Sequence, residues 1–151
     1  MTFQPMNYLK ISLGSLVLLS VFMSACSKTD DDAQKNRMQA AITGTWKKVN
    51  SRYDANNDSS FVYDNWTILD SCYKDNITTL ASNGNYSLVE GGISCWGNDA
   101  DSGTWRLSAD GSRLGVQGAN TGQVIYTIRR ITATRLELVN PSAILDIYQK
   151  Q

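Results

Sequence analysis

Apolar and polar residues alternate along most of this chain with a period of two, which is typical of β-strands that bury one face. In the segment 135–138, two leucines alternate with Arg135 and Glu137, and the segments 104–108 and 113–117 repeat this pattern. A period of two places successive side chains on opposite faces of a sheet. From residue 44 onward the pattern therefore predicts β structure.

Turn residues divide this alternating pattern into short strands. Asn83-Gly84 and Asp110-Gly111 are strong signals for tight hairpins, because both dipeptides readily adopt the positive φ angles that these turns need. Ahead of the strands, the segment 38–42 is expected to form a single helical turn. The predicted strands are 45–53, 61–69, 76–81, 85–90, 103–108, 113–117, 123–131, 134–140 and 143–148.

Short turns between sequential strands favour an antiparallel meander, in which each strand pairs with the next one along the chain. Closing such a meander into a barrel removes its unpaired edge strands. We therefore predict an all-β fold, an antiparallel up-and-down meander of about eight strands that closes into a β-barrel. A sandwich of two sheets is the alternative arrangement of the same strands.

The N-terminal part of the chain has a different pattern. An apolar run over residues 11–23 follows the cation Lys10 and precedes the small residues Ser24 and Ala25. This is the three-part organisation of a secretory signal peptide. The run is shorter than the roughly 17–25 apolar residues that a transmembrane helix needs. We therefore predict that this segment is removed and does not span a membrane.

The sequence Met23-Ser24-Ala25-Cys26 resembles the lipobox at the cleavage site of bacterial lipoproteins. The resemblance implies that residues 1–25 are removed and that Cys26 becomes an acylated N-terminus that holds the protein on a membrane. Two or more acyl chains anchor a protein stably, whereas a single chain holds it only weakly.

Residues 26–39 are polar and are expected to form a tether between the lipid anchor and a domain at 40–151. The aspartate run at 30–32 is similar to the acidic export signals of Bacteroidetes surface lipoproteins, and Ser27 resembles an outer-membrane sorting signal. These similarities imply an outer-membrane location, on either the periplasmic or the cell-surface face.

The composition limits the functions open to the chain. Its 151 residues include 14 Lys and Arg and 14 Asp and Glu. Because the chain has no excess of basic residues, we predict that nucleic acid is not a partner. There is no histidine, which excludes Ser-His-Asp triads, Cys-His pairs and histidine-ligated zinc or haem. No spacing among carboxylates such as Asp64, Asp70, Asp75 and Glu90 indicates the paired acids of a glycosidase. We therefore predict that the protein is not an enzyme and has no cofactor.

Oxygen-bearing side chains alternate at Asp54, Asn56 and Asp58, as they do at the start of a calcium-binding EF-hand loop. The sequence then departs from that motif, with Ser59 in place of the turn glycine and Asn65 in place of the bidentate glutamate. We interpret the segment as a solvated turn and predict no metal site.

The chain has three cysteines. If Cys26 carries the lipid, Cys72 and Cys95 remain as an even pair in an oxidising compartment. We predict that they form a disulfide, which stabilises the domain by about 3 kcal/mol in the chain-entropy description. The alternatives are two free thiols or a redox pair, although the sequence has no C-x-x-C motif.

Gly44-Thr45-Trp46 resembles the Gly-x-Trp signature on the first strand of lipocalins. The order of the later motifs is similar to that in lipocalin-like domain lipoproteins of Bacteroidetes, and this similarity covers about residues 40–140. These motifs are C-x-K-D-N at 72–76, N-G-x-Y at 83–86, a cysteine at 95, a second Gly-Thr-Trp at 103–105 and L-S-x-D-G at 107–111.

In lipocalins, the signature tryptophan closes the floor of the barrel beneath a basic side chain. The resemblance therefore implies that Trp46 and Trp105 pack at the floor of a lipocalin-like barrel. It also implies that Arg130, or alternatively Arg129 or Arg135, lies over a tryptophan in a cation–π contact.

The interior of such a barrel has two uses, because eight strands enclose just enough space either for packed side chains or for one small ligand. We expect Trp66, Trp96 and Tyr63 to belong to an aromatic rim around an open mouth that binds a small apolar or glycan ligand. The alternative is a filled barrel that serves as a structural or partner-docking subunit of an envelope complex.

Overall fold

A computed structural model describes residues 26–94 and 100–151 of the chain. Within these residues lie two helices and nine strands, which we number in chain order. They are α1 (Cys26–Ile42), β1 (Gly44–Tyr53), β2 (Tyr63–Asp64), α2 (Ser71–Lys74), β3 (Ile77–Leu80), β4 (Asn85–Val89), β5 (Asp101–Leu107), β6 (Arg113–Gly118), β7 (Gly122–Ile131), β8 (Arg135–Val139) and β9 (Ile144–Lys150).

The strands form a closed antiparallel barrel. From β3 to β9 each strand pairs with the next one along the chain, and β1 pairs with both β3 and β9. The closing ladder between β1 and β9 runs from Trp46 opposite Lys150 to Tyr53 opposite Ile144. The predicted up-and-down barrel is therefore confirmed, and β2 only adds two residues beside the end of β1.

The barrel interior holds the main apolar core, as the alternating pattern predicts. In β8, Leu136 and Leu138 are both buried and face inward. Full burial of one leucine side chain contributes about 1.5–3 kcal/mol, so this core dominates the stability of the barrel. The other buried residues of the core are Ile42, Trp46, Leu80, Trp105, Leu107, Leu114 and Val116.

Both hairpin turns that the sequence predicts are present. Gly84 and Gly111 have φ angles of 85° and 71°, which glycine adopts without steric cost. Asp110 supports the second turn, because its carboxylate accepts hydrogen bonds from the hydroxyl groups of Ser108 and Ser112. These bonds stabilise the ionised carboxylate and lower the pKa of Asp110 to about 2.

The helix α1 is longer than the sequence indicates. We expected a polar tether at 26–39 and a single helical turn at 38–42, whereas one helix begins at Cys26 and ends at Ile42. Its alanine, glutamine and lysine residues favour a helix, but no apolar stripe marks it in the sequence. Ile42 is fully buried at the floor of the barrel, and Met38 packs against the same core. Among the described helices, none combines the length and apolar character needed to cross a membrane.

The prediction of a strand at 61–69 is wrong except for the two residues of β2. The Asp64 carboxylate accepts hydrogen bonds from the backbone N–H groups of Trp66 and Thr67, at 2.8 and 3.2 Å. Such local bonds compete with a strand ladder and turn the chain. Phe61 also has a φ angle of 46°, which lies outside the extended region. Phe61 therefore packs without joining the sheet, whereas Val62 and Ile68 remain exposed.

The last strand turns polar residues inward and apolar residues outward. Asp146 and Tyr148 line the interior of the barrel. Leu145 and Ile147 lie on the outer wall, where they form a second buried cluster with Phe61. The loop that carries Phe61 therefore crosses the outside of the barrel and covers this part of β9.

Candidate functional site: the barrel cavity

The floor of the barrel is built around Trp46, which is 1% exposed. Its indole N–H donates to Ile42 O over 2.8 Å and so ties β1 to the end of α1. Lys150 Nζ lies 5.0 Å from the centre of the indole ring and donates to Ala41 O over 3.2 Å. A Cβ at Gly44 would overlap the side chain of Lys150. The Gly-x-Trp pattern thus leaves room for a cation over the tryptophan.

This cation is Lys150, so the prediction of Arg130 at the barrel floor is wrong. Arg130 is exposed and lies opposite Glu137 of β8, and both residues line a groove on the outer wall. A β-bulge between Ile128 and Arg130 shifts the register of β7 and places Arg129 on the outside as well. The last strand, rather than β7, therefore supplies the basic side chain.

Trp105, the other predicted floor residue, packs in the same apolar core. Its indole N–H donates to Ala81 O over 2.9 Å, and its backbone N–H donates to Gly84 O over 2.8 Å. The side chain is therefore both buried and fully bonded, which is the packing role that the sequence indicates.

Above this floor, the barrel encloses a cavity of about 190 Å³. Part of its wall is apolar and is formed mainly by leucine side chains that also belong to the core. The rest of its wall is polar. The polar and aromatic residues that line it are Trp46, Lys48, Tyr73, Asn76, Thr78, Tyr86, Tyr126, Asp146 and Tyr148.

A buried ion pair organises the polar part of the cavity. Lys48 Nζ lies 3.0 Å from Asp146 Oδ2, and the side chain of Asp146 is only 10% exposed. Lys48 pairs opposite Tyr148 in the β1–β9 ladder, and its ammonium group lies 5.8 Å from the centre of the tyrosine ring. Because a buried charge is costly without a partner, the two charged groups hold each other in this position.

One carboxylate oxygen and one amide oxygen of residues in the cavity wall have no hydrogen-bond partner within the described part of the chain. They are Asp146 Oδ1 and Asn76 Oδ1. Both residues are more than nine-tenths buried, at 7% and 9% exposure. Buried polar atoms in folded proteins nearly always have a partner, and leaving one without costs about 1–3 kcal/mol. Both residues line the cavity, but neither oxygen is exposed to its open space, so a bound molecule reaches them only if their side chains turn toward it.

Three tyrosines that line the cavity remain protonated at neutral pH. Burial raises the pKa of Tyr86 to about 12, and the neighbouring Tyr126 and Asp101 add to the effect. Burial also raises the pKa of Tyr126, and it raises that of Tyr148 well above its usual range, with Asp146 adding to both. Each phenol is therefore an uncharged group that can both donate and accept a hydrogen bond.

The predicted aromatic rim is only partly related to this cavity. Tyr63 is 52% exposed on β2, and Trp66 is half-buried beneath Lys74, whose Nζ lies 5.3 Å from the ring centre. Neither residue lines the cavity. Tyr73 of α2, another aromatic residue that could belong to such a rim, does line it. Trp96 lies outside the described residues.

Sequence reasoning missed the polar residues of the cavity, above all Lys48, Asn76 and Asp146. Lys48 follows two residues after Trp46 and so lies on the same face of β1, which is a signal that the sequence did contain. Asp146 was hidden because Leu145 and Ile147 flank it, and these apolar residues would ordinarily mark the inner face. Their actual position under an outer loop is a tertiary effect.

Cys72 lies on α2, is 8% exposed and is disulfide-bonded. Its predicted partner Cys95 lies outside the described residues, so this pairing stays a prediction. The preceding segment is held close to α2, because Ile93 N donates to Asp75 Oδ2 over 2.8 Å. A Cβ at Gly91 would also overlap the side chain of Asp75. These contacts bring the chain toward Cys72 shortly before residue 95.

The loop that follows β1 uses its acidic residues to hold its own backbone. The Asp54 carboxylate accepts hydrogen bonds from Asp58 N and Ser59 N, at 3.2 and 2.7 Å. Asp58 in turn accepts one from Ser60 N at 2.9 Å. Within residues 26–94 and 100–151, no group of three or more His, Cys, Asp or Glu residues is arranged to hold a metal ion.

Comparison with known proteins identifies the type of barrel. A family model described as a lipocalin-like domain matches residues 42–138. A lipocalin-like protein from Bacteroides uniformis has a similar structure, with a TM-score of 0.52 at 13% identity over 74% of this chain and 99% of its own. An uncharacterised protein from Bacteroides eggerthii gives a TM-score of 0.51 at 10% identity over 73% and 99% of the two chains. No curated protein matches the sequence.

Proposed function

Because the chain belongs to the lipocalin-like domain family, we propose that it binds one small ligand inside its barrel and does not catalyse a reaction. The observation that supports this most directly is the cavity, in which Asp146 Oδ1 and Asn76 Oδ1 are buried without a partner within the described residues. If the interior served only as a packed core, the protein would be more stable with these atoms paired or replaced by apolar groups.

The size of the cavity limits the ligand. A cavity of about 150 Å³ is large enough to admit benzene, whereas pockets for drug-sized molecules have volumes of about 300–1,000 Å³. At about 190 Å³, the barrel therefore suits a molecule of roughly one ring. A long acyl chain or an oligosaccharide does not fit inside it.

The chemistry of the wall defines the ligand further. Once their side chains turn toward the ligand, the two unpartnered oxygens accept hydrogen bonds, so a ligand with hydroxyl or amine donors fits this wall best. The side chains of Leu80, Leu114 and Leu136 require an apolar face on the same molecule. A small cyclic polyol, a monosaccharide or a small aromatic amine combines these properties, and this narrows the expected apolar or glycan ligand to a compact amphipathic one.

We also propose that the protein is anchored to the outer membrane, on its periplasmic or cell-surface face, through an acylated Cys26. The lipobox resemblance supports this proposal. If α1 begins at the anchor, its 17 residues, at about 1.5 Å each, hold the barrel floor roughly 25 Å from the acylated end. Replacing Cys26 with alanine is expected to abolish metabolic labelling by a palmitate analogue and to release the protein from the membrane fraction.

The binding proposal is tested by calorimetric titration of the mature chain, carrying Cys26→Ser, with a panel of compounds of one-ring size. The panel contains polyols and amines matched to analogues in which each donor is methylated. We expect saturable binding near one-to-one for compounds with free donors and weaker binding for their methylated analogues. Absence of binding across the panel would contradict this proposal and favour the filled, partner-docking barrel.

A further inference from the structure

A second groove lies on the outer wall of the barrel, away from the cavity. It has a volume of about 470 Å³ and is formed by side chains of β1, β7, β8 and β9 together with the loop after β1. Four arginines line it: Arg52, Arg129, Arg130 and Arg135. The chain as a whole has equal numbers of basic and acidic residues, so these arginines concentrate positive charge on one surface.

The groove has an apolar base. Phe61, Leu145 and Ile147 are each less than 9% exposed and form a packed cluster beneath the arginines. Arg129 lies over the ring of Phe61, with its guanidinium carbon 4.9 Å from the ring centre. This contact positions one guanidinium group directly above the apolar base.

The negative charges beside the groove do not neutralise the arginines. Glu137 lines the groove, and its Oε1 lies 2.8 Å from Arg135 Nε. Asp64 lies opposite Arg52 in the β1–β2 ladder, but its Oδ1 is occupied by two backbone N–H groups. Within the described residues, the other three arginines make no ion pair with a carboxylate. The groove therefore carries a net charge of about +3, counting its four arginines and one glutamate.

We propose that this groove binds the phosphate group of an anionic lipid, with the first part of an alkyl chain against the apolar base. Guanidinium groups bind phosphate oxygens through paired, charge-assisted hydrogen bonds, which accounts for several arginines around one groove. The small part of Phe61, Leu145 and Ile147 that stays exposed at the base of the groove offers the first carbons of the chain an apolar contact that a simple inorganic anion cannot use. This site is separate from the cavity and does not depend on the function proposed for it.

The test uses the mature chain with Cys26→Ser, so that no acyl anchor contributes. Monomeric short-chain phosphatidylglycerol is titrated while the arginine side-chain signals are followed by NMR, and flotation with phosphatidylglycerol-containing vesicles is measured in parallel. We expect one-to-one saturable binding of the monomer, retention on anionic vesicles, and no retention on pure phosphatidylcholine. Retention on anionic vesicles without saturable binding of the monomer would contradict a headgroup site, because it would indicate diffuse surface attraction only.

Matched variants separate the groove from general charge. The double variant Arg129→Gln and Arg130→Gln is expected to weaken monomer binding by about 10- to 30-fold, because it removes the attraction of two arginines to the anionic headgroup. Arg106→Gln with Arg113→Gln removes the same charge from exposed positions elsewhere on the barrel and should change binding less than about twofold. An equal loss in the two double variants would overturn the proposal. Arg130→Gln alone, which leaves the contact with Phe61 intact, provides a second comparison should the first variant unfold.

Discussion

At the scale of single residues, the binding proposal rests on two buried oxygen atoms, Asn76 Oδ1 and Asp146 Oδ1. Neither residue has a role that the sequence pattern reveals, because polar residues in short strands usually face water. Their importance follows from the closure of the barrel, which brings β9 and the start of β3 to the same interior. To predict these two residues from the sequence, one would first have to know which strands become neighbours in the barrel.

Asn76→Leu provides a test in which stability and binding change in opposite directions. The substitution keeps the side-chain size but removes an unpartnered acceptor, so the free energy of unfolding without ligand should rise by about 1 kcal/mol. Ligand affinity should fall, because the ligand loses one hydrogen bond. Urea unfolding and calorimetric titration measure the two effects.

Asn50→Leu is the matched control for that variant. Asn50 Oδ1 is also buried and without a partner within the described residues, but Asn50 does not line the cavity. This variant should likewise gain stability, with no change in affinity. Loss of affinity in both variants, or in neither, would contradict the assignment of Asn76 to the binding site.

The cation over Trp46 gives a second prediction for single residues. Lys150→Met keeps most of the side-chain volume but removes the contact with the ring and the hydrogen bond to Ala41 O. Together these should lower the free energy of unfolding by about 1–2 kcal/mol. Arg130→Met should change it by less than about 0.5 kcal/mol, because Arg130 is exposed on the outer wall. Equal effects in urea unfolding would show that the floor cation had been assigned wrongly.

The buried phenol of Tyr86 predicts a dependence on alkaline pH. Its pKa is about 12 in the folded protein, against about 10 in an unfolded chain, so the folded state retains the proton longer. This contribution to stability is complete below about pH 10 and is lost as the pH rises toward about 12. Tyr86→Phe should therefore show a smaller loss of stability between these pH values than the unmodified protein. An identical pH slope, measured by urea unfolding, would rule out this explanation.

At the scale of elements, most strands were predictable, whereas the course of the segment 61–69 and the length of α1 were not. The segments around Trp105, Leu114 and Leu136 became strands because their period of two matches a sheet with one apolar side. The segment 61–69 has similar residues, yet Asp64 turns it and Phe61 packs on the outer wall. The length of α1 was underestimated because its polar sequence has no periodic pattern of apolar residues. Only the end of the helix packs against the barrel floor.

The short helix α2 allows a prediction about the cysteines. We expect Cys72 to be linked to Cys95, because contacts between Asp75 and the segment 91–93 hold the intervening loop beside the helix. Peptide mapping without reduction should recover this linked pair. Replacing both cysteines with alanine should lower the free energy of unfolding by about 3 kcal/mol. A free thiol at Cys72, or a different partner, would contradict the pairing.

At the scale of the whole molecule, the barrel was predictable in number and order of strands, whereas its interior was not. Hairpin signals specify neighbours along the chain, and the pairing of β1 with β9 follows from the need to remove edges. The residues that face the interior depend on which of the two faces of each strand is turned inward. The sequence of β9 leaves its inner face ambiguous, and the packing of Leu145 and Ile147 under an outer loop turns Asp146 toward the cavity.

The most direct test of the binding proposal is native mass spectrometry of the mature chain, carrying Cys26→Ser, after gentle isolation from cells. We predict a population one small ligand heavier than the chain itself, with a mass that suits a molecule of about one ring. Organic extraction should remove this mass, and Asn76→Leu should reduce its occupancy while Asn50→Leu retains it. A chain that is bare in every preparation, and that stays bare when one-ring polyols and amines are added in excess, would contradict a ligand-binding cavity.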